Sequence, residues 1–492
     1  MMVVSVVVFF INGFLLMSLF KRSSLSFFER LGLGFWVYSG LFTFLFFFLH
    51  LYARVAYTFI NGWLIHLLLG GIFCLIFILK ERKNYSGFTL RKEKIFFWKN
   101  WHWWEYGVFF LLLFTWLIPF FHGLLFPIPG WDSLVLYDFY GYVFAKEGDM
   151  FSTLRYGYFD AYPFYIHLSH MWLYLTGFPT PLFWHAFLYI TLVWVSMGWA
   201  GRYFSQRYAV WVVAVLTSGM ASLYGHSTLG YNNLDAVGFL SLAFLYGFEW
   251  VRTKEYPYLL LSSLLGGGYL WCRNGEPWWV GLLVFYLVSL VLVKVVKWWK
   301  KGVLFVLSFV FLLTTKVVWE YSLRNWENLL MFSKKHSLVV KRENDENQQN
   351  SKEKVSLQMI SKETIRIIGS LTRPFRYLSW ERLKKYVPLA MDMFWRAIVK
   401  TRLVYWWVIV FLMILFFSER GLWTKPELWF FPFFFWINAG MIFVGTYVFI
   451  QSFPDWNIPG SAERMSMFLE PLVVFWTVVL VGEYRRKIPE EE

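Results

Sequence analysis

The segment Pro127-Ile-Pro-Gly-Trp-Asp-Ser-Leu-Val-Leu-Tyr-Asp138 directly follows an apolar run at residues 106–126. That run is about long enough to cross a bilayer, which takes roughly 20 apolar residues. The two prolines disfavour continuation of the helix, so they end it near one membrane surface and deliver Asp132 to that interface. Two interpretations are open at this point: one of the carboxylates of Asp132 and Asp138 does chemistry, or both only solvate an interfacial loop.

The composition of the whole chain is that of an integral membrane protein. Of its 492 residues 58% are hydrophobic, 23% aromatic and only 16% charged, which is too apolar for a soluble domain. The formal net charge of +15 does not indicate nucleic acid. Much of the basic excess lies in short loops between apolar runs, as in the positive-inside pattern. The two cysteines, Cys74 and Cys272, lie inside apolar runs and have no metal-ligand spacing.

The apolar runs predict an all-α polytopic membrane protein with about thirteen transmembrane helices. Residues 80–105 carry many lysines and arginines against few acids, which places this loop in the cytoplasm. Counting from there, residues 1–483 form one membrane domain with the loop 127–180 outside, and the tail 484–492 is cytoplasmic. The predicted spans are 2–20, 31–50, 57–79, 106–126, 182–200, 208–224, 236–250, 257–272, 279–296, 303–323, 402–417, 428–450 and 466–482.

Two segments are not counted as spans. Residues 161–177 are apolar but short, so we expect an amphipathic or re-entrant helix on the outer surface. The long external loop 324–400 contains a run at 342–353 that is too polar to bury. It is followed by 363–400, where apolar residues mix with Arg and Lys, as in an interfacial helix. With this topology three polar loops, at 127–138, 225–235 and 273–278, share the outer face.

The acidic residues of these outer loops are candidates for catalysis. Asp132 and Asp138 are six residues apart, roughly 120° around a helix, so they do not form a close carboxylate pair. One of them alone would act as a general base. For Asp235, at the start of a predicted helix, N-capping is the simpler explanation and a functional role is the alternative. Nearby histidines are expected to be satisfied interfacial side chains rather than metal ligands: His167, His170 and His226.

Three charged residues of the outer loops are candidates for phosphate binding. Arg273 and Glu276 either form a local ion pair between two spans, or Arg273 binds a phosphate and Glu276 orients it. Arg464 precedes the final span, where both snorkelling and a phosphate contact are natural for an arginine.

Five short motifs follow one another between residues 100 and 483. They are Gly130-Trp-Asp132, Asp160-Ala-Tyr-Pro163, Gly230-Tyr-Asn-Asn-Leu-Asp235, Arg273-Asn-Gly-Glu276, and Arg464 before Glu470-Pro471-Leu. Their order resembles that of the GT-C membrane glycosyltransferases, and within them the protein O-mannosyltransferases and lipid A aminoarabinose transferases. The resemblance implies a GT-C-like bundle with its active site on the extracytoplasmic face of the cell membrane.

The resemblance also implies a reaction. A sugar would pass, with inversion, from a polyprenyl-phosphate donor to a hydroxyl of a glycan, lipid or protein acceptor. Asp132 corresponds to the catalytic base, and the leaving phosphate would be stabilised by Arg273, Glu276 and Arg464. No cofactor is expected, and a divalent metal is not required. The residues expected to bind substrate are Trp131, Asp138, Tyr162, Tyr231 and Asp235.

Two other functions stay open on the sequence alone. One is a lipid or solute transporter, in which the external charges would line a pathway. The other is an envelope-glycan polymerase or ligase that uses a diphosphate-linked donor.

Overall fold

A computed structural model describes residues 1–20, 25–83, 102–129, 133–156, 162–204, 221–273, 278–292, 297–339, 379–400, 403–418, 420–452 and 458–485. Within these ranges the chain is helical and contains no β-strand. Among the described residues, seven helices are long and apolar enough to cross a membrane, and four shorter helices are also apolar. Twelve of the thirteen predicted spans coincide with a helix, and most of the run at 208–224 lies outside the described residues.

The chain divides into two compact units. The first consists of Met1–Ser322, Leu412–Pro432 and Glu470–Glu492, and the second of Leu323–Phe411 and Phe433–Leu469. Several helices have residues in both units.

The helices in the first half of the chain are α1 (Met2–Ser18), α2 (Phe27–Ala53), α3 (Phe59–Lys83), α4 (Trp103–Leu125), α5 (Phe139–Glu147), α6 (Tyr165–Leu175), α7 (Leu182–Ala200), α8 (Ala221–His226) and α9 (Asn233–Thr253). A π-helical segment, Ser133–Asp138, precedes α5, and a 3₁₀ turn, Met150–Tyr156, follows it.

The remaining helices are α10 (Tyr256–Cys272), α11 (Trp278–Leu292), α12 (Trp298–Val339), α13 (Trp380–Phe394), α14 (Leu403–Ser418), α15 (Arg420–Trp423), α16 (Phe430–Ser452), α17 (Ile458–Ser466) and α18 (Glu470–Arg485). A π-helical segment, Trp395–Lys400, follows α13, and a 3₁₀ turn, Pro426–Trp429, precedes α16.

Glycines allow two close helix contacts in the first unit. A Cβ on Gly13 of α1 would lie 2.3 Å from the carbonyl carbon of Gly34 in α2. A Cβ on Gly267 of α10 would lie 2.2 Å from the carbonyl oxygen of Phe311 in α12. Small residues that let helix backbones approach are typical of helix packing in membranes. The backbones of these helix pairs therefore touch where an alanine would not fit.

The helices of the first unit differ in how much of their apolar surface the protein covers. Helix α9 is buried from Asn233 to Trp250. On α3 and α12, large apolar side chains such as Leu68 and Val306 are exposed. Such an exposed apolar surface is costly in water and suits contact with lipid.

Of the two alternatives predicted for residues 161–177, helix α6 corrects the amphipathic surface helix, while the re-entrant helix stays a prediction. Every residue from Tyr165 to Leu173 is buried, and the helix packs against α2 and α5. Its polar side chains tolerate this because they bond inside the protein: the Ser169 hydroxyl, for example, donates to the carbonyl of Tyr165 at 2.8 Å. The two histidines of this helix, His167 and His170, are also buried rather than interfacial.

In the second unit, α13 has the amphipathic character predicted for part of 363–400. Ser379 caps its N-terminus, and Ala390 packs against Tyr447 and Ile450 of α16. The opposite face, including Arg382 and Lys385, is exposed. Its location at a membrane surface stays a prediction, and residues 363–378 lie outside the described part of the chain.

Candidate functional site

Three segments that are distant in sequence meet in the first unit. The Ser133 hydroxyl donates to the carbonyl oxygen of Leu229. The Tyr137 hydroxyl donates to the Asn232 side-chain oxygen at 3.0 Å, and the Asn232 amide donates to the carbonyl of Cys272 at 3.3 Å. These bonds join the segment before α5, the segment before α9 and the end of α10. They are the loops 127–138 and 225–235 and the residue just before the loop 273–278, which the sequence predicts to share one face, and the side of the membrane stays a prediction.

A glycine shapes the second of these segments. Gly230 has a φ of +73°, a left-handed conformation that glycine adopts without steric cost. A Cβ at this position would also lie 3.3 Å from a methyl carbon of Leu182. The turn at Gly230 follows directly on Leu229, whose carbonyl receives the Ser133 hydroxyl.

A tyrosine ring contacts the predicted phosphate-binding arginine of this region. The Arg273 guanidinium carbon lies 5.8 Å from the ring centroid of Tyr162, within the range of a cation–π interaction. The Tyr137 ring lies 6.0 Å from that of Tyr162 and 6.4 Å from that of Tyr231. Tyr162 therefore contacts both Arg273 and Tyr137, and Tyr137 also contacts Tyr231. Tyr137 was not predicted, although it precedes Asp138 in the same polar stretch.

Asp138 ends the π-helical segment and is buried. The Tyr174 hydroxyl of α6 donates to one of its oxygens at 2.7 Å, and His170 Nδ1 lies 3.5 Å from the same oxygen. Burial, together with the charge of Asp138, raises the pKa of Tyr174. This hydroxyl therefore keeps its proton and acts as a donor to the carboxylate.

Asp235 does not cap a helix, contrary to the simpler explanation drawn from the sequence. Helix α9 begins at Asn233, three residues before the predicted start, and Asn232 is its N-cap residue. Asp235 is the third residue of the helix and is fully buried. Within the described residues, neither of its carboxylate oxygens has a hydrogen-bond partner. The imidazole of His185 in α7 faces Asp235, and its Nδ1 lies 3.7 Å from one carboxylate oxygen.

Two histidines join these two acids. His170 Nε2 of α6 lies 3.3 Å from His185 Nε2 of α7, and both side chains are fully buried. His185 was missed because it lies within an apolar run. A lone ionisable residue in such a run is itself a functional signal, since its burial in a membrane is costly.

His167 has a separate role on the same helix. Its Nε2 lies 2.9 Å from the carbonyl oxygen of Leu136, and because a carbonyl only accepts, this nitrogen carries the proton. Burial lowers the pKa of His167 to about 3, so the ring is neutral at ordinary pH. It ties α6 to the segment that carries Asp138.

Some of the predicted site residues cannot be placed beside these groups. Trp131, Asp132 and Glu276 lie outside the described residues. Arg464 lies on α17 in the second unit. Across the part of the chain that the structure describes, no group of three or more His, Cys, Asp or Glu side chains could hold a metal ion.

The arrangement combines two chemical capacities. Arg273 and the tyrosine rings offer a cation and flat aromatic faces, while Asp138, Asp235 and the two histidines offer groups that exchange protons. Comparison of the chain with protein-family models, with curated proteins and with solved structures finds no match. The resemblance to the GT-C glycosyltransferases therefore stays a prediction.

Proposed function

We propose that the protein is a membrane glycosyltransferase that moves a sugar from a polyprenyl-phosphate donor to an acceptor hydroxyl on the extracytoplasmic face. The observation that supports this proposal is the gathering of Asp138, Tyr162, Tyr231 and Arg273 in one region. These residues come from motifs far apart in sequence. The proposal keeps the thirteen-span, N-outside topology deduced from the basic loops.

In the proposed reaction Asp132 takes the proton of the acceptor hydroxyl as that oxygen attacks the anomeric carbon. The bond between this carbon and the phosphate oxygen breaks, the configuration inverts, and the polyprenyl phosphate leaves with the bonding electrons. Arg273 or Arg464 would neutralise the charge that develops on the phosphate, with Glu276 as the orienting partner of Arg273. The role of Asp132 rests on the resemblance alone.

Tyr162 and Tyr231 have a different part in the proposal. Their rings present apolar faces with a polar hydroxyl tip, which suits binding of a sugar ring. Asp138 and Asp235 would contact or position the substrates rather than take the proton.

The test compares three equal substitutions in one assay. Purified protein in lipid is given a panel of radiolabelled polyprenyl-phosphate sugars with a membrane extract as acceptor. Asp132→Asn removes the base but keeps the size of the side chain, so transfer falls by about 10² to 10⁴ while donor binding is retained. Asp138→Asn and Asp235→Asn reduce transfer less. Full transfer by Asp132→Asn, with loss of transfer in either of the other two, would contradict the assignment.

The second candidate function is a transporter, and the specific observation in its favour is the buried acid and histidine cluster. Ionisable residues inside membrane helices commonly line proton or substrate pathways. Wild-type protein that forms no sugar product with either a monophosphate or a diphosphate donor, yet moves protons across proteoliposome membranes, would favour this function. Product formed only from the diphosphate donor would favour the polymerase or ligase instead.

A further inference from the structure

Four buried side chains form a continuous row in the first unit, which we call the relay: Asp138, His170, His185 and Asp235. They come from the segment before α5 and from α6, α7 and α9 in turn. The three steps measure 3.5 Å from Asp138 Oδ1 to His170 Nδ1, 3.3 Å between the histidine Nε2 atoms, and 3.7 Å from His185 Nδ1 to Asp235 Oδ1. The middle step is a hydrogen bond, and the outer two become hydrogen bonds after side-chain shifts of a few tenths of an ångström.

The relay has hydrogen-bonding capacity that its surroundings do not use. His170 Nδ1, His185 Nδ1 and both oxygens of Asp235 lack a hydrogen-bond partner among the described residues. His170, His185 and Asp235 are fully buried. Buried polar atoms are nearly always bonded, so a run of unbonded ones that face each other indicates a role other than holding the fold.

We propose that the relay is a proton-binding site that carries one proton between Asp138 and Asp235. The proposal goes beyond glycosyl transfer and stands without it, because it rests only on the four side chains. The ligand is a proton, and each of the four groups both accepts and releases one.

The hydrogen bond between the histidines fixes the proton count. One Nε2 must carry a hydrogen and the other must accept it. If His185 Nε2–H donates, a neutral His185 has a bare Nδ1 that accepts from a protonated Asp235. A neutral His170 then presents Nδ1–H to an ionised Asp138. If His170 Nε2–H donates instead, Asp138 is protonated and His185 presents Nδ1–H to an ionised Asp235.

Conversion between these two forms moves one proton along the whole relay. The proton of Asp138 passes to His170 Nδ1, that of His170 Nε2 passes to His185 Nε2, and that of His185 Nδ1 passes to Asp235. Each ring gains one proton and loses one, and the single negative charge moves from Asp235 to Asp138. No oxidant, metal or further reactant is needed.

The surroundings favour the form with the proton on Asp235. An ionised carboxylate without hydrogen bonds is costly to bury, whereas Asp138 accepts the Tyr174 hydroxyl at 2.7 Å. Asp138 is also the more exposed end, with a side chain that is 10% exposed against 0% for Asp235, so protons enter there. Besides Tyr174, other titratable groups of the described residues interact with the relay. Tyr165 and Cys272 interact with Asp235, His226 interacts with His185, and His167 interacts with His170.

The experiment follows hydrogen exchange of the Asp235 carboxyl by infrared spectroscopy on the full chain in lipid nanodiscs. A protonated carboxyl has a C=O stretching band that an ionised one lacks, and the band shifts when H₂O is replaced by D₂O. Asp235→Asn removes this band from the wild-type spectrum. His170→Gln and His185→Gln keep an amide in place but cannot hand on a proton. They slow the shift by roughly 10²-fold, the lower end of what a positioned acid–base group contributes.

The matched control is His66→Gln, which replaces another buried histidine of the first unit. His66 Nδ1 bonds the Tyr38 hydroxyl at 2.7 Å and takes no part in the relay, so its variant exchanges at the wild-type rate. A wild-type spectrum that does not change on Asp235→Asn would overturn the proposal, as would unchanged exchange in both glutamine variants. If those two fail to fold, Asp138→Asn at the open end decides in the same way. Sugar transfer is not the readout, so failure here is independent of the proposed function.

Discussion

Two buried polar clusters of the first unit differ in how completely their groups are bonded. In the first, which we call the charge network (Glu29, Arg202 and Glu249), Arg202 bonds Glu29 at 2.5 Å and Glu249 at 2.7 Å. Each carboxylate oxygen accepts at least one hydrogen bond. The further donors are the backbone N–H of Ser26, the Tyr246 hydroxyl, the Trp199 indole and the Arg252 guanidinium.

In the relay, by contrast, the ionisable groups face each other with atoms left unbonded. The relay connects α7 to α9, the charge network connects the turn after α7 to α9, and both are buried among apolar helices. The charge network has the bonding that a buried ion pair needs to hold helices together. The relay lacks this hydrogen bonding, so holding the helices together does not explain why four ionisable groups are buried in it. Completeness of bonding therefore separates a structural cluster from a candidate functional one.

The largest expected effect is on the charge network. Arg202→Ala leaves two buried carboxylates, Glu29 and Glu249, without their shared cation, and removing one partner of a buried pair costs about 3–5 kcal/mol. Asp235→Asn keeps the size of the side chain and offers an amide N–H to His185 in place of the acid O–H, so its effect on the free energy of unfolding is about 1 kcal/mol or less. Thermal unfolding of both variants in detergent measures the difference. Equal destabilisation would mean that the relay is as structural as the network.

A smaller effect separates two buried indoles. The Trp199 N–H donates to Glu249 at 2.8 Å, whereas Trp36 is equally buried but its N–H has no hydrogen-bond partner within the described residues. Both Phe variants lose similar apolar area. Trp199→Phe therefore costs about 1.5–3 kcal/mol more than Trp36→Phe, the contribution of a hydrogen bond to a charged group. The same unfolding assay checks this, and equal losses would show that bonding to Glu249 adds little.

The smallest effect concerns the pH dependence of stability and the buried residue His167, whose ring donates one hydrogen bond, to the Leu136 carbonyl. Its folded pKa is about 3 against an ordinary value of 6.5. Above pH 6.5 both states are neutral. Below it the unfolded chain takes up a proton that the folded chain does not, so acid favours unfolding. Between pH 6.5 and 5.5 this proton uptake lowers the free energy of unfolding by about 1 kcal/mol. Unfolding temperatures of wild type and His167→Gln across this interval should diverge, and parallel curves would contradict the assignment.

The helices could be predicted from the sequence, but the partners of their polar residues could not. An apolar run of sufficient length specifies a helix whatever surrounds it, so the run at 182–200 gave the bounds of α7. Pairings such as His170 with His185, or Glu29 with Arg202, depend on how distant helices pack. No local pattern encodes such a contact, and both members of each pair look like isolated polar residues in the sequence.

The errors at Asp235 and at residues 161–177 have local causes. Asn232, Asn233 and Asp235 all favour a helix N-terminus, and the sequence does not decide which one takes the cap position. The run at 161–177 was too short for a span, which suggested a helix on the outer surface, yet its histidines lie inside the protein. They are buried because neighbouring segments supply partners, such as the Leu136 carbonyl for His167. Of the site residues, the structure gathers those near Tyr137, whereas the base assigned to Asp132 stays a prediction.

The position of α9 in the chain has a consequence for biosynthesis. This helix carries two buried acids, Asp235 and Glu249, which would be costly to release alone into a bilayer. The groups that face them, His185 on α7 and Arg202 in the turn after α7, precede them in sequence. The ribosome therefore synthesises α7 and the turn after it before α9. The group that faces each acid has already been synthesised when that acid enters the membrane.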